Sequence, residues 1–141
     1  MQQTIFIDID GCIFKHHGGT VSDVVEKVTG LLPGVKEKIG QWFTDGHYIC
    51  LTTARPECWR ARTEIDLEIC GIPYHQLVMG IGHGIRTLIN DAKPNLQQTA
   101  FGITVERNQG FEQLELPTPK YREVCPTSIN INIATIKEYG V

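Results

Sequence analysis

The stretch TIFIDIDGCIF, residues 4–14, decides the fold. Its β-branched and aromatic residues read as a short buried strand, yet Asp8 and Asp10 interrupt the apolar run. Unpaired charges are costly to desolvate, so the strand is expected to end at the two aspartates. Gly11 then permits a sharp turn. Side chains two apart on a strand point the same way, so Asp8 and Asp10 can share one pocket at the strand's end. Two neighbouring carboxylates repel unless a cation or a proton lies between them.

Working outward, LLPGVKEKIGQWFTDG (31–46) predicts a helix. Pro33 stands near its start, Gly46 near its stop, and Val35, Ile39, Trp42 and Phe43 fall on one face. HYICLTTA (47–54) predicts a second strand that again ends in polar residues, Thr52 and Thr53. RPECWRARTEIDLEICG (55–71) predicts a second helix, Pro56 at its start and Gly71 just past its end. Trp59, Ile65 and Ile69 are expected on one side of it. HQLVMG (75–80) reads as a third strand, RTLIND (86–91) as a fourth ending in Asn90 and Asp91, and TAFGITV (99–105) as a fifth.

Short apolar strands alternating with amphipathic helices argue for a parallel sheet covered on both faces. The expected fold is α/β, a Rossmann-like three-layer sandwich with a mainly parallel central sheet. Ligands bind such sheets beyond the carboxyl ends of the strands. The polar strand ends therefore converge on one expected site: Asp8 with Asp10, Thr52 with Thr53, and Asn90 with Asp91. Three carboxylates without clustered Cys or His favour Mg²⁺ over zinc.

The bulk composition narrows the classes. The chain of 141 residues suits one ordinary domain, and 41% hydrophobic with 21% charged residues matches a globular protein. A net charge of −3 supplies no basic field to gather nucleic acid. No apolar run approaches the ~20 residues of a membrane span. The first residues lead into a strand and not into a signal peptide, so a cytoplasmic protein is expected. The five cysteines include no C-x-x-C pair and read as reduced thiols. Residues 15–20, KHHGGT, read as an exposed loop. LPTPKYREVCPTSININ (116–132) has three prolines and reads as an extended arm, and beyond Thr127 the alternation of Ile129, Ile131 and Ile133 is a strand pattern.

These motifs resemble a known family. DIDGC (8–12) looks like the D-x-D-G signature of the haloacid dehalogenase superfamily phosphatases, LTTAR (51–55) like the second signature, and LINDAKP (88–94) like the acidic metal-binding signature. The order and spacing match as well, over roughly residues 4–105.

The resemblance implies that Asp8 is a nucleophile forming an aspartyl-phosphate, with Asp10 as acid and then base. It implies that Thr53, or Thr52 in its place, bonds a phosphoryl oxygen, that Gly11 belongs to the substrate loop, and that Asp8, Asp10 and Asp91 hold Mg²⁺. The family also uses a Lys before the acidic signature, but no Lys lies between Lys38 and Lys93 here. Arg86, Arg55 and His83 are the candidate replacements, Arg86 first.

Neither the gap after Asp10 nor the gap before Asp91 has room for a folded cap, as in the capless subclass. The expected organisation is a catalytic domain over 1–115 and a C-terminal arm over 116–141, packing on the domain or on a neighbouring subunit of a homo-oligomer. The expected activity is Mg²⁺-dependent hydrolysis of a small phosphorylated metabolite such as a sugar phosphate. The alternatives are a nucleic-acid 3′-phosphatase and a catalytically silent binding protein.

Overall fold

The computed structural model describes residues 1–16, 30–94 and 97–118. Residues 17–20 of the expected loop, the expected arm from residue 119 onward and the strand pattern beyond Thr127 lie outside the described residues. The chain divides into two compact units: Met1–Gly84 with Thr104–Leu114, and Ile85–Ile103 with Glu115–Val141.

Among the described residues the helices and strands lie in the first unit, in the order β1 (Thr4–Asp8), α1 (Val35–Thr44), β2 (Tyr48–Thr52), α2 (Arg60–Ile69) and β3 (Gln76–Val78). A single 3-10 turn, Glu57–Trp59, leads into α2. The strands form one parallel sheet in the order β1-β2-β3. This is an α/β unit.

Two crossovers step the same way across the sheet. Right-handed crossovers, the near-universal choice, therefore lay α1 and α2 on one face. Burial follows that expectation. Ile7, Ile49, Leu51 and Leu77 are buried, while their strand neighbours Phe6 and Tyr48 on the opposite face are 56% and 43% exposed. Among the described residues no helix covers that second face.

Helix α1 packs on β2 and buries Val35, Ile39 and Trp42. Phe43, expected on the same face, is 38% exposed. One position from Trp42 is a rotation of about 100° around the helix, which turns Phe43 towards the sheet's rim. There it stacks on His75 at 4.7 Å, and His75 stacks in turn on Tyr48 at 4.6 Å.

Helix α2 differs from its expected face. Ile65 and Ile69 are exposed, and Thr63, Asp66 and Leu67 are the buried positions. Their i, i+3, i+4 spacing is a proper helical stripe, with polar residues in two of three places. Each polar group has a partner: Asp66 accepts from Arg62 at 3.0 Å, and Thr63 accepts from Arg55 at 3.1 Å. Helix α2 buries hydrogen-bonded groups where its aliphatic residues were expected to go inside.

The expected strands at 86–91 and 99–105 are not formed. Ile85, Leu88, Ile89 and Ile103 stand exposed, and β propensity without a paired and covered strand does not make one. Part of the 99–105 stretch instead leads into the segment Thr104–Leu114, which folds with the first unit. Phe111 of that segment is 3% exposed, 6.0 Å from the ring of Trp42. Its N–H donates to the Pro33 carbonyl at 2.8 Å. The adjacent Gly110 has φ 80°, and a Cβ there would run into that same carbonyl, so only glycine fits.

The four described cysteines, Cys12, Cys50, Cys58 and Cys70, are free thiols. Among the described residues no helix is long and apolar enough to cross a membrane.

Candidate functional site

Strand β1 stops at Asp8 because the chain there wraps onto itself. The Ile9 carbonyl accepts from the N–H groups of Cys12 (3.3 Å), Ile13 (2.9 Å) and Phe14 (3.1 Å). Gly11 turns the corner at φ 90° and donates to the Phe14 carbonyl at 2.7 Å. Ile9, Ile13 and Phe14 are fully buried under this loop. The apolar residues of 9–14 thus plug the loop into the core and leave Asp8 and Asp10 half-buried at its mouth.

Strand β2 ends beside it. The register sets Asp8 against Thr52 and Thr52 against Val78. The Thr52 hydroxyl donates to the Ile7 carbonyl at 3.4 Å. Thr53 is 1% exposed. Its hydroxyl oxygen accepts from the Arg55 N–H at 3.0 Å, which leaves its own hydrogen to donate. Backbone bonds from Thr53 N to Val78 O (3.0 Å) and from Gly80 N to Arg55 O (2.7 Å) tie the loop after β2 to the loop after β3.

Arg55 joins these parts. It is only 7% exposed. Its Nε donates to Asp10 Oδ2 at 2.9 Å and its Nη2 to Asp10 Oδ1 at 2.7 Å, a bidentate fork. The remaining nitrogen, Nη1, donates to Thr63 on α2 at 3.1 Å, and Phe14 lies 5.9 Å from the guanidinium carbon. One side chain therefore links the β1 loop, the β2 loop and α2.

Cys12 registers the local field. Burial, and after it the charges of Asp8 and Asp10, push its thiol from 9.0 up to about 11. Without bound metal, iodoacetamide labelling of Cys12, followed peptide by peptide, is expected to reach its half-maximal rate near pH 11. In Asp10→Asn the midpoint is expected to move down, because removing a negative neighbour favours the thiolate. An unchanged midpoint would place Asp10 too far away to matter.

Of the residues expected at the site, Asp8, Asp10, Gly11, Thr52, Thr53 and Arg55 lie together at the carboxyl ends of β1 and β2. His83 is exposed on the loop that follows β3. Arg86 and Asp91 are exposed members of the second unit. There Thr99 Oγ1 donates to the Asp91 carbonyl, and the Asn90 side chain donates to the Thr99 carbonyl at 3.4 Å.

Two groups were not visible from the sequence. Thr63 looks like an ordinary helix residue until Arg55 reaches it. Asn108 sits far along the chain, yet its N–H donates to the Gly11 carbonyl at 2.9 Å and its side-chain oxygen accepts from His16 N at 2.7 Å. Its φ of 63° is a left-handed value that Asn tolerates better than most residues. The turn composition of RNQG signals a loop but not where the loop docks.

The donor set at the β1 end suits a hard cation. Among the described residues no three His, Cys, Asp or Glu side chains converge on one point. Mg²⁺ does not require that, since it commonly takes one or two carboxylates and completes its shell with water and substrate phosphate. A separate cavity of about 500 Å³ beside α1 is lined by Gly34, Glu37, Lys38, Gln41 and Glu112. It includes none of these groups.

Comparison with protein-family models, with curated proteins and with solved structures finds no match to this chain.

Proposed function

We propose that the chain is a Mg²⁺-dependent phosphomonoesterase that works through an aspartyl-phosphate on Asp8. The observation that carries this reading is the corner formed by Asp8 and Asp10 at the carboxyl end of a parallel strand, beside Thr52 and Thr53 of the next strand. In this reading the fold is the three-layer sandwich of the haloacid dehalogenase superfamily, without a large cap. The substrate is a small phosphorylated metabolite such as a sugar phosphate.

An Asp8 carboxylate oxygen attacks phosphorus, the bond from phosphorus to the ester oxygen breaks, and the leaving oxygen takes a proton from Asp10. Asp10 then removes a proton from water. The water oxygen attacks the same phosphorus, which releases orthophosphate and restores Asp8. Thr53, or Thr52, donates to a phosphoryl oxygen. Asp8 and Asp10 are the described residues that would hold the metal. A cation held there would neutralise phosphoryl oxygens so that an anionic nucleophile could approach.

The Arg55 fork sets a condition on this chemistry. Both Asp10 oxygens face guanidinium N–H groups, so one oxygen must leave the fork to carry a proton to the leaving group. The same fork motivates the second reading, a phosphate-binding protein in which Asp10 stays locked and no ester is cleaved.

The test is phosphate release from sugar phosphates, nucleotides and a 3′-phosphorylated oligonucleotide, with Mg²⁺ and with EDTA. Release is expected with metal, strongest on a sugar phosphate, and at least ~100-fold less with EDTA. A preference for the oligonucleotide would move the substrate class to nucleic-acid ends. Orthophosphate binding without release from any ester would favour the binding protein.

A further inference from the structure

We infer that Arg107 is the anion-binding residue of the Asp8/Asp10 corner and recognises the phosphoryl group of a phosphate ester. The inference rests on the phosphoryl-transfer reading of that corner and adds to it a residue that no sequence motif marked.

The argument begins with a need. A site that brings a phosphate dianion to two carboxylates requires cationic side chains as well as metal. No Lys lies between Lys38 and Lys93. Arg55 is engaged: its fork is filled by Asp10, its third nitrogen is taken by Thr63, and it is 7% exposed.

Arg107 is placed differently. The segment Thr104–Leu114 belongs to the same unit as Asp8 and Asp10 and is fastened on both sides of Arg107. Gln109 N donates to the Glu106 carbonyl at 3.3 Å and closes a turn over the intervening residues. Asn108 grips the D-x-D-G loop from both directions, donating to Gly11 O and accepting from His16 N. Further along, Phe111 anchors the segment beneath Trp42 and on Pro33.

This anchoring lays the Arg107 stem along the loop itself. A Cβ on Gly11 would stand 3.3 Å from Arg107 Cγ, a tight approach that a glycine at residue 11 relieves. Arg107 is exposed, and among the described residues no hydrogen bond or ion pair holds its guanidinium. A packed stem with an open planar fork is an arrangement suited to bidentate phosphate recognition. The backbone that carries it is already ordered by Asn108 and Phe111, so little conformational freedom is lost on binding.

The test measures orthophosphate binding by calorimetry with Mg²⁺ present, alongside ester turnover, for the wild-type chain, Arg107→Ala, Arg107→Lys and the exposed control Lys36→Ala. Arg107→Ala is expected to bind orthophosphate about 30-fold more weakly, the scale of one charge-assisted contact, with an unchanged melting temperature. Arg107→Lys should recover part of the affinity, since charge remains and the fork does not. Guanidinium added to Arg107→Ala should restore part of the turnover, a response that a merely structural role would not produce.

Equal orthophosphate affinity in wild type and Arg107→Ala would overturn the inference. No orthophosphate binding by the wild-type chain would overturn the inference, and the phosphatase reading falls with it only if no ester is cleaved either. If the wild-type chain binds orthophosphate but cleaves no ester, the hydrolytic reading fails alone, and the affinity ratio still decides the role of Arg107.

Discussion

Replacing Asp8 with Asn is expected to reduce ester hydrolysis by at least ~1000-fold, the scale seen when a covalent nucleophile is removed. The substitution keeps shape and removes the attacking oxyanion. Asp8 is half-buried at the end of β1, outside the apolar plug of Ile9, Ile13 and Phe14, so the melting temperature should move by only a few degrees. An acid quench during turnover should trap a phosphoryl adduct on wild type and none on Asp8→Asn. Undiminished Mg²⁺-dependent turnover by Asp8→Asn would refute the proposed mechanism, whatever the substrate.

The second large effect is expected at Arg55. Arg55→Ala removes a 7% exposed cation and leaves the Asp10 carboxylate and the buried Thr63 hydroxyl without their donor. Breaking a buried ion pair from one side costs about 3–5 kcal/mol. Asp10 retains some contact with water, since its side chain is 27% exposed, so the lower end, about 3 kcal/mol, is expected. Urea unfolding should show this as a lower midpoint with an unchanged slope. Turnover should fall as well, because Asp10 loses the group that orients it.

Arg55→Lys separates charge from shape. It keeps a cation but cannot make the two parallel bonds to Asp10 and the third to Thr63. A loss of about 1–3 kcal/mol is expected for these contacts. If Arg55→Lys were as stable as wild type, the fork would be a geometric coincidence and the pair would matter only through its charge.

The contrast between Arg55 and Arg86 explains how far the sequence could be read. In the sequence both arginines are candidates, and Arg86 ranks first because it precedes Asp91 on the same short segment. That segment forms no strand, and its aliphatic residues are exposed. Arg55 meets Asp10 across 45 positions of sequence, a separation at which local pattern carries no information about partners.

Helix α2 teaches the same lesson in reverse. Periodicity located the helix, and Gly71 marked its end with φ 67°. It did not give the buried face, because Thr63 and Asp66 go inside on the strength of their partners and not of their hydropathy. Ile65 and Ile69 then point outward.

What the sequence by itself determined is the local chemistry. The β-rich run ending in Asp8, the turn at Gly11, the helix stops at Gly46 and Gly71, and the polar end of β2 all follow from preferences that act over a few residues. Those preferences are steric and solvation effects of each residue on its near neighbours. The tertiary structure decided which of these groups meet. It set Asp8 beside Thr52, closed the Arg55 fork on Asp10, and brought Asn108 back across 92 positions to His16. Such meetings depend on how Phe14, Trp42 and Phe111 fill one shared core, and close packing is a property of the assembled chain and not of any stretch within it.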